Sequence, residues 1–221
     1  MRRQLLIAVA VGLAAVAAGW ADDPPKPADP PAKSKTVAEL KKEAEQAELE
    51  LYKKYDELSE ADRKDRKKVD ELFQAHEKEQ GKRYEAALAI AKADPKADAA
   101  FEAVDWLLTN TRVYYLPVGK PAVELATEHF AASPKIGRAV LMLGRYGPQG
   151  EASIEKTTAE FLKAVEEKNQ DKTVRGTVAI VKAWQAKGRY ERAEYRKGKN
   201  VEELATAAEK AFEAAVKEYA T

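Results

Sequence analysis

Three punctuation points at nearly equal spacing constrain this chain most. Asp94-Pro95-Lys96, Ser133-Pro134-Lys135 and Asp171-Lys172 each follow an alanine-rich amphipathic segment and open another, with starts 39 and 38 residues apart. Asp or Ser can cap the orphan backbone N–H groups of a helix start, and proline suits the first helical position because its missing N–H had no intrahelical partner. The segments opened there carry Phe101, Val104, Leu107 and Leu108, then Ile136, Val140 and Leu143, then Val174, Val178, Val181 and Trp184. These spacings put each set on one helix face. A partner helix precedes each start: one ending at Ala93, one from Pro121 to Ala132, and one from about Gly150 to Asn169 carrying Ile154, Phe161, Leu162 and Val165. Stripes arranged in this way must bury against their neighbours, so the expectation is an all-α chain of antiparallel helical hairpins.

Composition supports that reading. Alanine, glutamate, lysine and leucine dominate, all good helix formers. Hairpins of this period occur in solenoids of the tetratricopeptide or HEAT kind, which implies a short right-handed solenoid. The chain contains no cysteine, so packing rather than disulfides must hold it together, and thiol chemistry within the polypeptide is excluded.

Residues 36–93 precede the repeat region of residues 94–221, with which they are expected to form one continuous domain. Thr36 and Glu39 have capping-box spacing, followed by Val37, Leu40, Ala44, Ala47, Leu51 and Leu58 on one face. Ser59 and Asp62 offer a second start. A long helix with Val69, Leu72, Phe73, Tyr84, Ala87, Leu88 and Ala91 on one face then runs to Ala93, with Gly81 a potential kink. The two segments make either a helical hairpin or one long helix through Leu58. Asn200 and Glu203 form a capping pair for a final helix whose Leu204, Ala207, Ala208, Phe212, Ala215 and Tyr219 can face inward. By the period, that helix takes the place of a first helix whose partner is missing, so the C-terminus is expected to be an edge or a junction.

Residues 1–21 read as an export signal. Arg2 and Arg3 form a charged start, Leu5 to Ala18 an apolar stretch, and Gly19-Trp20-Ala21 a small-x-small site, with cleavage expected after Ala21. The apolar run falls short of the ~20 residues of a spanning helix, and no cysteine follows it for lipid modification. A soluble mature chain in the periplasm or outside the cell is therefore expected, with no stable membrane span. Residues 22–35 hold five of the ten prolines and form a polyproline-like linker. Removing residues 1–21 takes two arginines and no acid from 38 basic and 37 acidic side chains, leaving a nearly neutral chain. Such a balance supplies no field toward nucleic acid or an anionic membrane, and no nucleic-acid partner is expected.

Motifs of chemistry are not recognisable. Neither His76 nor His129 has a second histidine at helical spacing, and His76-Glu77 lacks the following histidine of a zinc-protease helix. Gly119, Gly144, Gly147 and Gly150 build no phosphate cradle, and Ser153 has no nucleophile constellation. No catalytic residue, metal site or cofactor is assigned. Two surfaces remain. In the aperiodic apolar stretch from Thr111 to Val118, Tyr114 and Tyr115 either form a partner-binding edge or seal the end of the helical core, and sealing is favoured. From Lys182 to Lys199, basic side chains including Arg189, Arg192 and Arg196 interleave with Trp184, Tyr190 and Tyr195. Guanidinium groups beside aromatic rings suit carboxylate-rich partners, and a solvated helix end is the plainer alternative.

Phe101 to Arg112 (FEAVDWLLTNTR), Ala122 to Leu143 with its HFAASPKIGR core, Phe161 to Gly176 (FLKAVEEKNQDKTVRG) and Ala207 to Tyr219 (AAEKAFEAAVKEY) together resemble a known helical region. It is the one that precedes the thioredoxin-like domain in exported redoxin proteins of planctomycete type. In that family the last segment leads into a domain whose paired cysteines exchange disulfides. This chain has no cysteine, so the resemblance implies a shared helical module without a shared activity. The leading expectation is an exported non-catalytic module that binds or positions another envelope protein, with a separately supplied redoxin as the partner that the resemblance implies. The alternatives are an enzyme or ligand-binding protein using a groove of the solenoid, and a truncated remnant of a redoxin protein.

Overall fold

Thr36 opens the first helix as its spacing with Glu39 requires. The Glu39 N–H donates to Thr36 Oγ1 at 3.2 Å and the Thr36 N–H to Glu39 Oε2 at 2.7 Å, which closes a capping box on α1 (Val37–Glu57). Thr36→Ala removes the Oγ1 acceptor and is expected to cost roughly 1 kcal/mol. A lower urea midpoint with an unchanged slope will check it. The computed structural model describes residues 35–147 and 152–219; the expected export signal, residues 22–34 of the expected linker, and residues 148–151, where the helix expected from about Gly150 would begin, lie outside the described residues.

The first two predicted segments form a hairpin. Leu58 is extended (φ −63°, ψ 140°), Ser59 caps α2 (Glu60–Lys64), and Asp65 then starts α3 (Arg66–Ala93) by accepting from the Lys67 N–H at 3.0 Å. The α3 helix continues through Gly81. Gln80 Nε2 donates to the Ala44 carbonyl at 3.0 Å, and the Tyr55 and Phe73 rings meet edge-on at 6.0 Å, so α1 and α3 run antiparallel.

The following elements are α4 (Asp98–Thr109), a 3-10 segment (Thr111–Tyr115), α5 (Gly119–Leu125) continued by a wide π turn (Ala126–Phe130), α6 (Gly137–Tyr146), α7 (Ala152–Lys168), α8 (Lys172–Tyr195) and α9 (Val201–Tyr219). Two of the three predicted helix starts are displaced. Neither Asp94 nor Ser133 is the N-cap of the helix that follows it. Their side chains accept from Lys96 N and Lys135 N, and their carbonyls accept from Ala97 N and Ile136 N, so each makes a turn before α4 or α6 begins. Asp or Ser followed by Pro is also favoured at the first two positions of a β-turn, and here that preference prevails. Asp171 does cap α8, accepting from the Val174 N–H at 3.0 Å. The helix expected from Pro121 starts two residues earlier, at Gly119.

The described residues from Lys35 onward form one compact all-α unit. Helix α1 packs on α3, α3 on α4, α4 on α6, α5 on α7, α6 on α8, and α8 on α9. Alternate helices thus lie side by side in a solenoid-like arrangement. The core runs from Val37 and Leu40 through Leu107, Ile136, Leu143 and Phe161 to Val178 and Val181. Tyr84 against Trp106 (5.4 Å between ring centroids) joins the first hairpin to α4, and Phe101 against Phe130 (5.4 Å) joins α4 to the π turn. On α9, Ala208 and Ala215 are buried and Leu204, Phe212 and Tyr219 half-buried, whereas Ala207, expected to face inward, is exposed. Among the described residues no helix is long and apolar enough to cross a membrane.

Candidate functional site

Burial along α8 ends before the helix does. Val174, Val178, Val181, Ala183 and Ala186 are buried, and beyond Ala186 no residue of this helix is. About 1.5 Å of rise per residue carries the stretch to Tyr195 roughly 13 Å past that point. The last turns are therefore free of the demand for apolar side chains, and their polar residues have somewhere to go. Five of the predicted surface residues, Arg189, Tyr190, Arg192, Tyr195 and Arg196, stand here, with Trp184 half-buried just before them. Helix α8 stops where Lys197 takes φ 52° and the Gly198 N–H donates to the Ala193 carbonyl at 2.8 Å, a left-handed cap that satisfies an end carbonyl.

Charge at this end is partly internal. Lys182 pairs with Glu166 of α7, Lys187 with Glu191, and Tyr190 donates its hydroxyl to Glu194 at 2.7 Å. Arg145 of α6 lies over the Trp184 ring at 5.1 Å and the Tyr146 ring at 5.3 Å, a stacked cation between two aromatic faces. Arg189 and Arg192 line a cleft of about 120 Å³ with Glu155, Thr158 and Gln185. Tyr195, 90% exposed, has its ring in solvent.

The two tyrosines of the aperiodic stretch separate. Tyr114 is 1% exposed and donates its hydroxyl to the Leu108 carbonyl; burial pushes that phenol above its ordinary range. It seals the core and drops out of any partner-facing surface. Tyr115, next along the 3-10 segment, is 70% exposed and stands apart in sequence and element from the α8 group.

A second place of chemical interest was not foreseen. A cavity of about 220 Å³ lies between α1, α3 and the 3-10 segment, lined by Leu51, Phe73, Leu116, His76, Gln80, Tyr84 and Arg112. Phe73, His76, Gln80 and Tyr84 share one stripe of α3, at three- and four-residue steps. Glu48 holds Arg112 at 3.1 Å, and Asn110 Nδ2 donates to the Tyr84 hydroxyl at 2.7 Å. Burial, and then the nearby Arg112 guanidinium, hold the His76 imidazole below its ordinary value, so it is neutral at pH 7. Burial raises the Tyr84 phenol and keeps it protonated. The sequence signal was a polar run, His76, Gln80 and Tyr84, on a stripe that otherwise reads as apolar. Arg112 and Leu116 reach it only through folding.

Among the described residues no group of three or more His, Cys, Asp or Glu side chains stands close enough together to hold a metal ion. Comparison with protein-family models, curated proteins and solved structures returns no match for this chain.

Proposed function

We propose that this chain is an exported, non-catalytic interaction module, a short right-handed solenoid of the tetratricopeptide or HEAT kind that positions another envelope protein. The observation that carries the reading is the end of α8, where Arg189, Arg192, Arg196 and Tyr195 stand beyond the last buried residue of their helix. Side chains released from core packing, with arginine and tyrosine prominent, have the composition of a protein-binding patch. The favoured partner is acidic on its docking face, and the resemblance to the helical region of redoxin proteins points to a thiol–disulfide protein of the envelope. The partner then supplies the cysteines that this chain lacks.

The test is capture from an envelope extract with residues 22–221 as bait, beside an Arg189→Glu, Arg192→Glu, Tyr195→Ala variant. A specific partner is expected with the first bait and at least a tenfold loss with the second, since reversing charges at a patch costs several kcal/mol. Equal recovery by both baits would remove α8 from the interface, and reproducible absence of any partner would sink the reading. A ligand-binding role is the second reading, and the cavity at His76 is what favours it.

A further inference from the structure

We propose that the groove along α8 between α6 and α9 docks one amphipathic helix of a partner protein, with an apolar stripe closed at each end by a carboxylate and the two carboxylates eleven residues apart. Helices α6 and α9 both pack on α8. Where both reach its surface they leave two hollows, of about 490 and 540 Å³. Arg145, Trp184 and Phe212 line the first, and Leu141, Ile180 and Val216 the second. On each helix the two sets are one turn apart: Leu141 and Arg145, Ile180 and Trp184, Phe212 and Val216. The hollows are therefore one groove. From Thr173 to Lys187 it runs roughly 21 Å, about four helical turns.

Its surface is apolar and reachable. Leu141, Ile180, Trp184, Phe212 and Tyr219 are half-buried, and Val216 is 57% exposed. An extended peptide would bring unpaired backbone N–H and C=O groups onto walls built of helices whose own backbone groups are already bonded. A helix satisfies its own backbone and lays side chains at i, i+3, i+4 and i+7 into such a groove. Charge then sets the two ends. Lys187 is paired with Glu191, the one acid among the lining residues. Arg145, stacked on Trp184, and Lys172 have no carboxylate partner among the described residues. Lys172 stands twelve residues before Trp184, so the two cations are separated by roughly 18 Å along α8. Eleven residues of a helix rise about 16.5 Å and make three turns to within about 20°, so two acids at that spacing share a face and meet both cations. Ile180 and Arg189 are nine residues apart, half a turn out of phase, and the groove thus opens on the other side of α8 from Arg189. The site is separate from the α8 end, and either docking surface can fail without the other.

The probe is a labelled alanine–glutamine peptide of about 16 residues, with two glutamates eleven apart and leucines three, four, seven and eight residues after the first. It is titrated into residues 22–221 and followed by fluorescence anisotropy. Saturable binding is expected, at least tenfold tighter than that of the same peptide with lysine for both glutamates. On an Arg145→Glu, Lys172→Glu chain, changed at two exposed positions, the order of the two peptides is expected to reverse. A proline at the centre of the peptide breaks its helix and is expected to weaken binding at least tenfold. No saturable binding, equal affinity of the two peptides, an unchanged order on the substituted chain, or undiminished binding of the proline peptide would each overturn the proposal. Dimers in sedimentation that the glutamate peptide fails to dissociate would assign the groove to a second copy and overturn it as well. Should the substituted chain lose its helical circular dichroism, Val216→Glu is the second variant, and undiminished binding to it would count against the groove in the same way.

Discussion

Replacing Asn169 with alanine is expected to lower stability by about 2–4 kcal/mol, a large fraction of what a domain of this size has. Asn169 follows α7 and is 1% exposed. Its Nδ2 donates to the Ala131 carbonyl at 2.9 Å and the Ser133 carbonyl at 2.8 Å, and its Oδ1 accepts from the Asp171 N–H at 3.0 Å. One side chain thus ties the turn before α6 to the turn before α8. Alanine leaves the buried Ala131 carbonyl without that donor, whereas Ser133 keeps the Ile136 N–H. Asn169→Asp sharpens the prediction. Its carboxylate faces two carbonyl oxygens, so its pKa in the folded state is raised above the unfolded value. The penalty is then absent at pH below the ordinary carboxyl range and grows as pH rises through it, so stability returns on acidification. Urea melts of both variants across pH, with hydrogen exchange on the first turns of α6 and α8, will show it. A loss below about 0.5 kcal/mol for Asn169→Ala would refute the clamp.

How much of this was legible depends on the range of the cause. The capping box at Thr36, the cap at Asp171 and the apolar stripes of α4, α6 and α8 follow from residues within one or two helical turns, and the sequence displays them. Asp94 and Ser133 were ambiguous for a local reason too, since the same Asp-Pro or Ser-Pro pair serves a helix start and a turn. The 39-residue correspondence survives the correction, because both sites fold into the same turn and both helices start four residues on. Tyr114 and Tyr115 are adjacent and chemically identical, yet one is core and the other solvent. In an aperiodic segment only the packing of the neighbouring helices decides which ring turns inward.

The two surfaces of interest divide along the same line. The α8 group is contiguous in sequence, so its residues were found before the fold was. The His76 cavity draws Leu51 from α1, a stripe from α3 and Arg112 with Leu116 from beyond α4, and no spacing rule connects them. Its polar groups persist because the first hairpin is thinly packed there. Gln80 and Leu51 are the last buried residues before the hairpin tip, and none of the side chains from Tyr52 to Glu79 is buried. A polar residue at such a margin costs less than one in the core between α4 and α8, where, apart from the fully hydrogen-bonded Asn169, the fully enclosed side chains are aliphatic or aromatic.

Gly144→Ala is expected to cost about 3 kcal/mol, because the space for one methyl group is already occupied. A Cβ at position 144 of α6 would lie 2.1 Å from Val181 Cγ1 and 2.9 Å from Cγ2, both on α8. The α6–α8 contact lies within the core, and Val181 is fully buried, so the clash is relieved only by parting two helices or forcing a rotamer. Glycine otherwise weakens a helix by about 1 kcal/mol relative to alanine, so a helical residue here that gains from substitution elsewhere loses by it, and the sign of the effect reports the close approach. Val181→Ala alone is expected to lose about 2 kcal/mol through the cavity it opens. Combined, the two substitutions should cost less than their sum by at least about 1 kcal/mol, since the new methyl enters the space that the valine vacates. Strict additivity in a double-mutant cycle would mean that α6 and α8 do not meet at these two residues. A positive cycle also bears on the proposed docking surface, because Gly144 adjoins Gln185 in the cleft beside Arg189 and Arg192. A Gly144→Ala chain that stays folded should then lose partner capture in step with its displaced α8 end.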